Sequence, residues 1–228
     1  MSKRIDKIFT DVAKGYDRVN TVSSLGIIKL WRKDAASQAM IGKQSYKLLD
    51  IATGTGELPL EILRLAGKRG KDISITAMDF NKGMLSVAER KAKRLGLDIA
   101  IERGDAMKLR YPDNSFDVVT STFALRNVDS LEKFASEARR VLKPGGKFVF
   151  MDMGRPDTPL NRAVIRAYWG AISWIGALED KNAFDWLVYS TSRFDKANFV
   201  RVLKGAGFRN VRLGKEITGA AFIVTGNK

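Results

Sequence analysis

The stretch Leu48-Leu49-Asp50-Ile51-Ala52-Thr53-Gly54-Thr55-Gly56 carries an apolar strand run into a glycine turn, and the next apolar run, over 73–78, closes on Asp79. A turn too tight for side chains lets backbone approach a ligand, and a carboxylate at the end of the neighbouring strand can take the two hydroxyls of a ribose. The turn continues into Glu57 without a third glycine, so the GxGxxG dinucleotide fingerprint is missing, as is the Gly-Lys-Ser/Thr ending of a P-loop. The ligand that fits is an adenosine without a phosphate chain, and S-adenosyl-L-methionine (SAM) meets that description. The plain alternative is a strand–helix turn that holds nothing.

Working outward, strands are expected at 47–52, 73–78, 98–102, 116–122 and 147–153, with helical periodicity at 57–67, 82–95 and 130–142 between them. Strands alternating with helices give an α/β fold, a parallel sheet covered on both faces. Lys143-Pro144-Gly145-Gly146 reads as a helix stop and turn before the fifth strand. Upstream, 3–14 reads as a short helix with Ile5, Ile8, Phe9 and Val12 on one face, Tyr16 to Gly26 as an ordered loop, and Ile27 to Met40 as a helix. Downstream, 158–178 is an apolar and aromatic helical stretch, a second helical stretch follows near 181–192, another helix is expected at 195–206, and two last strands near 208–216 and 219–226. The 228 residues thus form one domain: an arm or lid (1–46), a cofactor core (47–153), a helical insertion (154–194) and a C-terminal helix with a strand pair (195–228).

Composition narrows the chemistry. The chain has no cysteine and no histidine, so disulfides, thiolate nucleophiles and Cys/His metal sites are out, and no metal is expected. A general base must be a carboxylate, Tyr, Lys or bound water. The formal net charge is +15, and residues 1–47 hold ten Lys/Arg against four Asp. Such a surface attracts nucleic acid or anionic membrane, or simply forms solvated helical faces. No apolar run nears the roughly 20 residues that cross a bilayer, and the start of the chain leads into no apolar signal segment, so cytoplasmic placement is expected.

Four segments should meet at the carboxyl edge of the sheet, where open α/β folds bind ligands. They are Gly54-Thr55-Gly56, Asp79-Phe80-Asn81, Gly104-Asp105-Ala106 and Thr122-Phe123-Ala124-Leu125-Arg126-Asn127. Singly, each Asp could be a helix cap. Together and in order they outline a cofactor site.

With these motifs in view, the sequence resembles the class I SAM-dependent methyltransferases, and within them the quinone-biosynthesis C-methyltransferases that act on polyprenylated benzoquinols and naphthoquinols. The glycine motif and Leu142-Lys143-Pro144-Gly145-Gly146 are common to many methyltransferases. The arm Tyr16-Asp17-x-x-Asn20 together with Leu125-Arg126-Asn127-Val128 carries the narrower resemblance. The chain departs from the family's usual residues at Arg110, Ala124 and Met151-Asp152. The resemblance implies a Rossmann-like seven-stranded sheet with the last strand antiparallel. It implies cofactor contacts from Gly54, Thr55, Gly56, Asp79, Phe80, Asp105, Ala106 and Thr122. Catalytic roles would fall on Arg126, Asn127 and Tyr16, and the substrate side on Asp17, Asn20 and Asp152. Arg126 would stabilise a phenolate-like oxyanion; its alternative is a structural salt bridge at the sheet edge. The proton acceptor would be water held by Arg126 and Asn127, or else Tyr16, Asp17 or Asp152. Trp169, Ile172, Trp174, Ile175 and Leu178 would line the path of a prenyl tail, or just pack a helix. The partners implied are a prenylated quinol, the inner face of an anionic membrane and a second copy of the chain as a homodimer. A methyltransferase acting on RNA or on another small molecule, and a non-catalytic scaffold, are the rival readings.

Overall fold

The computed structural model describes residues 3–13, 15–214 and 221–228. The elements run α1 (Lys3–Val12), α2 (Tyr16–Ser23), α3 (Ile27–Ala39), β1 (Ser45–Ile51), α4 (Glu57–Lys68), β2 (Asp72–Asp79), α5 (Lys82–Leu95) and β3 (Ala100–Arg103). They continue through β4 (Phe116–Thr122), a 3-10 turn (Leu125–Asn127), α6 (Leu131–Val141), β5 (Leu142–Met153), α7 (Pro159–Arg193), α8 (Lys196–Gly205), β6 (Arg209–Leu213) and β7 (Ala221–Asn227). The strands form one seven-stranded sheet in the order β3-β2-β1-β4-β5-β7-β6. β1 to β5 run parallel, and β7 is antiparallel to both its neighbours. Strand order reverses between β1 and β4, which places a crevice at their carboxyl ends.

Alternation along the central strands builds two cores. Leu49, Val119, Phe148 and Phe150 face α6 and α8, where Phe134, Ala138, Phe199 and Leu203 are buried. Leu48, Val118, Val149 and Met151 face α3 and α4, against Trp31, Ala35, Leu58 and Ile62. No described helix is long and apolar enough to cross a membrane.

Three expectations change. Tyr16–Ser23 is a helix rather than a loop; its composition is polar, and it holds its form by packing on α3 and α7. The segment read as two helices is one helix of 35 residues, started by the Thr158 side chain accepting from Asn161 N–H and by Pro159 in its first turn. The Lys143–Gly146 stop lies inside the longer strand β5. Phe116 pairs with Leu142 and Val118 with Lys147, so the extra residues bulge out of the ladder. Of the two last strands, the expected stretch 215–220 lies outside the described residues.

Candidate active site

The carboxyl ends of β1, β2, β3 and β4 open on a cleft, at the edge where open α/β sheets bind ligands. Gly54, Thr55, Asp79, Phe80, Asp105, Ala106 and Thr122 all line it, so seven of the eight residues expected at the cofactor converge there. Gly54 sits at φ +58°, and a Cβ added there would meet no atom within 4 Å. Its backbone therefore faces open space, as a cradle for a close-lying ligand must. Gly56 differs. It stands behind the cleft, at φ +78°, where an added Cβ would lie 3.1 Å from the Ala88 Cβ. Its smallness lets α4 and α5 approach, and it is not a cleft-lining residue.

Asp79 joins two turns. Its Oδ2 accepts from the Gly54 N–H at 2.8 Å and its Oδ1 from the Asn81 N–H at 2.8 Å. Burial pushes its carboxyl above the usual carboxylate range, and the backbone donors oppose that rise. Each oxygen has a further lone pair, which suits the hydroxyls of a ribose. Asp105 accepts from the Met107 N–H at 2.9 Å and lines the same cleft. Beneath the glycine turn, Asp50 is fully buried. Its Oδ1 accepts from the Thr120 hydroxyl at 2.6 Å, and burial pushes the carboxyl up to about 7 against the hydroxyls of Thr120 and Thr53.

Two further cavities adjoin the cleft. One, of about 970 Å³, is bordered by Phe9, Asn20, Arg126, Asn127, Trp186 and Leu187. The other, of about 1050 Å³, is mostly apolar, with Ile28, Trp31, Ile165, Tyr168 and Trp169 among its walls. Tyr16 and Phe123 line all three. Burial raises the Tyr16 phenol above its ordinary value, against a hydrogen bond with Asn20, so the hydroxyl is a neutral donor rather than a base at physiological pH. Phe123 holds a left-handed backbone (φ +59°), an uncommon state for a bulky residue and one met at functional sites.

The predicted polar residues separate. Arg126 lies between two cavities, yet its Nε is 2.5 Å from Asp152 Oδ1, and its Nη1 donates to Ser190 (2.8 Å). Its Nη2 has no hydrogen-bond partner among the described residues. Asp152 is fully buried; it is the counter-ion of Arg126 rather than a surface open to substrate. Asn127 Oδ1 accepts from Trp186 Nε1 at 2.8 Å. Asp17 also departs from the acceptor side. It accepts from the Thr55 hydroxyl at 2.6 Å and pairs with Lys91, which is 2.5 Å from Glu57. Glu57 in turn meets Arg32 at 3.3 Å. Asn81 adds a second tie, donating to Thr10 Oγ1 and Asp6 Oδ1. These contacts fasten the arm over the cleft.

Phe123, Trp186, Phe9 and Lys91 were not singled out from the sequence as site residues. Phe123 lies inside a segment that was, but its backbone state is invisible in a sequence. Trp186 is 59 residues from the Asn127 it holds. Of the residues expected along a tail path, Trp169 lines the apolar cavity and Ile172 is buried; the side chains of Trp174, Ile175 and Leu178 lie outside the described residues.

The model of the ubiE/COQ5 methyltransferase family matches residues 1–228. The chain belongs to that family. It is 34% identical over 230 residues to the demethylmenaquinone methyltransferase of Staphylococcus saprophyticus, covering 99% of this chain and 97% of the relative. Identity to the Staphylococcus aureus protein of the same name is also 34%, over 99% of this chain and 93% of that one. Among solved structures, a SAM-dependent methyltransferase from Thermotoga maritima aligns with TM-score 0.66 at 20% identity, covering 97% of this chain and 99% of that one. A Haemonchus contortus phosphoethanolamine N-methyltransferase 2 in complex with SAM aligns with TM-score 0.64 at 16% identity, over 87% and 52%. This methyltransferase is SAM-dependent, and the cradle at Gly54 with the carboxylate of Asp79 beside it fits that cofactor.

Proposed function

We propose that this methyltransferase transfers a methyl group to a ring carbon of a prenylated quinol, a demethylmenaquinol or a related benzoquinol. The observation that carries the reading is the apolar cavity that adjoins the cofactor cleft at Tyr16 and Phe123. A quinol ring at that junction would have its prenyl tail against Trp31, Ile165 and Trp169 and its hydroxyls near Arg126 and Asn127. The names of the staphylococcal relatives point to the same acceptor.

Bound SAM supplies a methyl on sulfonium, which carries its own leaving group. The chain's task is to align ring carbon with methyl and to stabilise negative charge on the adjacent oxygen. Arg126 serves the second task through Nη2, while Asp152 and Ser190 fix its guanidinium. Asn127 contributes a polar amide whose orientation Trp186 sets. Tyr16, with its raised phenol, donates rather than accepts. Asp17 and Asp152 are already engaged in ion pairs, so the quinol hydroxyl gives its proton to water held near Arg126 and Asn127; once the ring carbon has taken the methyl, the proton on that carbon leaves to the same water and the ring regains its aromaticity. Peripheral contact with an anionic membrane, where such a quinol dissolves, accounts for the +15 charge.

The test is incubation with methyl-labelled SAM in the presence of a bacterial lipid extract and, in parallel, tRNA. Label is expected in a quinone of the lipid fraction. Label in tRNA, or in neither, overturns the proposal.

A further inference from the structure

Eight large apolar residues are exposed among the described residues, and four of them are walls of the apolar cavity or lie one helical turn from its walls. Leu25 and Leu30 project from the α2–α3 turn and α3; Leu160 and Val164 come from the first two turns of α7. Leu25 and Val164 are themselves walls of the apolar cavity. Leu30 is one turn beyond Ile27, another wall residue, and Leu160 is one turn before Val164. Scattered apolar residues on a surface need no explanation, but a group ringing the mouth of an apolar cavity does.

Leu25 is the sharpest member. It is 74% exposed at a turn tip and holds a left-handed backbone at φ +49°. Glycine or asparagine would relieve that strain in water. A leucine there gains only if something apolar receives it.

The polar residues beside this rim are mainly cationic. Lys29 and Lys33 flank Leu30 on the exposed face of α3. Asp34 is the one exposed acid on that face of α3, and it accepts from Gln38. Apolar side chains bordered by lysine and arginine are the composition that seats a protein in the headgroup region of an anionic bilayer.

We infer that the α2–α3 turn, the exposed face of α3 and the start of α7 form a lip that docks on an anionic lipid bilayer, with the mouth of the apolar cavity turned to the membrane. This deepens the reading of a prenylated acceptor, on which it rests: the acceptor's tail passes from lipid to cavity without crossing water.

The test is vesicle flotation of the whole chain. Vesicles of equal parts phosphatidylcholine and phosphatidylglycerol are compared with phosphatidylcholine alone. Adenosylhomocysteine binding and thermal melting confirm that each variant is folded. Leu30→Ser with Leu160→Ser removes two apolar contacts that line none of the three cavities, and should weaken partitioning on the order of tenfold. Lys29→Gln with Lys33→Gln should weaken it roughly 30-fold on anionic vesicles. Matched controls away from the lip, Leu95→Ser with Leu213→Ser and Lys68→Gln with Lys93→Gln, should stay within about twofold of wild type if the site is local. Wild type that fails to float with anionic vesicles, lip variants that float normally, or controls that lose as much as the lip pairs each overturn the inference. Failure of the lip while a detergent-dispersed prenylated quinol is still methylated leaves the acceptor assignment standing. Normal lip-dependent flotation with no quinol methylated supports the lip and overturns the acceptor.

Discussion

The Thr55 hydroxyl donates a 2.6 Å hydrogen bond to the Asp17 carboxylate, so the glycine turn is tied directly to the arm that covers it. The same carboxylate pairs with Lys91, and Lys91 continues to Glu57 and Arg32. Asp17 is thus the joint between the arm, the glycine turn and α5. Asp17→Ala removes two charge-assisted contacts, worth about 1.5–3 kcal/mol each where the donor or acceptor is ionised. Lys91 keeps Glu57, which softens the loss. Adenosylhomocysteine should dissociate faster and bind about tenfold more weakly, measured by calorimetry, and the melting temperature should fall by a few degrees. Unaltered affinity would show that the arm does not cover the bound cofactor.

The two glycines of the turn should separate by phenotype. Both lie at positive φ, so alanine at either introduces a backbone penalty of about 1–2 kcal/mol. At Gly56 the new methyl also presses on Ala88, and the added damage should appear as lowered thermal stability. At Gly54 the methyl points into open space at the cleft, and the added damage should appear as lost cofactor affinity. The melting temperature and the adenosylhomocysteine dissociation constant of the pair decide it; equal effects on both readouts would refute the assignment.

Asp50 makes the fold sensitive to pH in a direction opposite to the usual aspartate. Its folded carboxyl titrates at about 7 against an ordinary 3.8, chiefly because it is buried. Below 3.8 the group is protonated in both folded and unfolded chains, and its effect on stability is nil. As pH rises from there through 7, the unfolded chain gives up the proton first, and stability falls. A shift of that size corresponds to about 4 kcal/mol in order of magnitude. Asp50→Asn stays neutral and still offers an oxygen to the Thr120 hydroxyl. It should therefore raise the melting temperature of the cofactor-free protein near pH 8 far more than near pH 5. An equal gain at both pH values would show that Asp50 is ionised in the folded state across the range.

Trp186 acts through Asn127. Trp186→Phe keeps the aromatic bulk and deletes the 2.8 Å donation to Asn127 Oδ1, a bond worth about 0.5–1.5 kcal/mol. Turnover should fall about threefold to tenfold, with cofactor affinity unchanged, because Trp186 does not line the cofactor cleft. A loss confined to KM would show that Trp186 acts through the cavity wall it forms and not through the amide.

The cofactor half of the site was legible because its parts are local. Gly54, Asp79 and Asp105 each sit where a strand stops, and alternation of strand and helix orders those stops along one sheet edge. The acceptor half is made by long-range contacts. Helix α2 has neither an apolar face strong enough to declare itself nor a side-chain cap, so Tyr16 to Gly26 read as a loop. The change from the apolar stretch 158–178 to the more polar one near 181–192 read as two helices, where the backbone continues as one. The resemblance put Asp152 and Asp17 on the substrate side, and their partners, Arg126 and Lys91, come from other elements that a sequence does not bring together. Gly56 had the right spacing for the cradle, and only its distance to Ala88 shows that it serves helix packing.

Arg126 and Asp152 must be tested together, since the alternative of a structural salt bridge is partly realised in their 2.5 Å contact. Both side chains are nearly or fully buried, at 6% and 0% exposure. Arg126→Met leaves the Asp152 carboxylate without its counter-ion, and breaking one side of a buried pair destabilises by about 3–5 kcal/mol. Lost activity in that variant would therefore say little about chemistry. Arg126→Lys keeps a cation against Asp152 but loses the planar fork that holds Ser190 while leaving Nη2 to an oxyanion. If Arg126 stabilises the acceptor oxygen, this variant should melt close to wild type, bind adenosylhomocysteine normally and turn over about 100-fold more slowly. The double variant Arg126→Met with Asp152→Asn restores charge balance, so it should regain much of the stability lost by the Met substitution and none of the turnover. Recovery of turnover in the double variant would reduce Arg126 to a brace for the sheet edge and move the stabilisation of the oxyanion to Asn127.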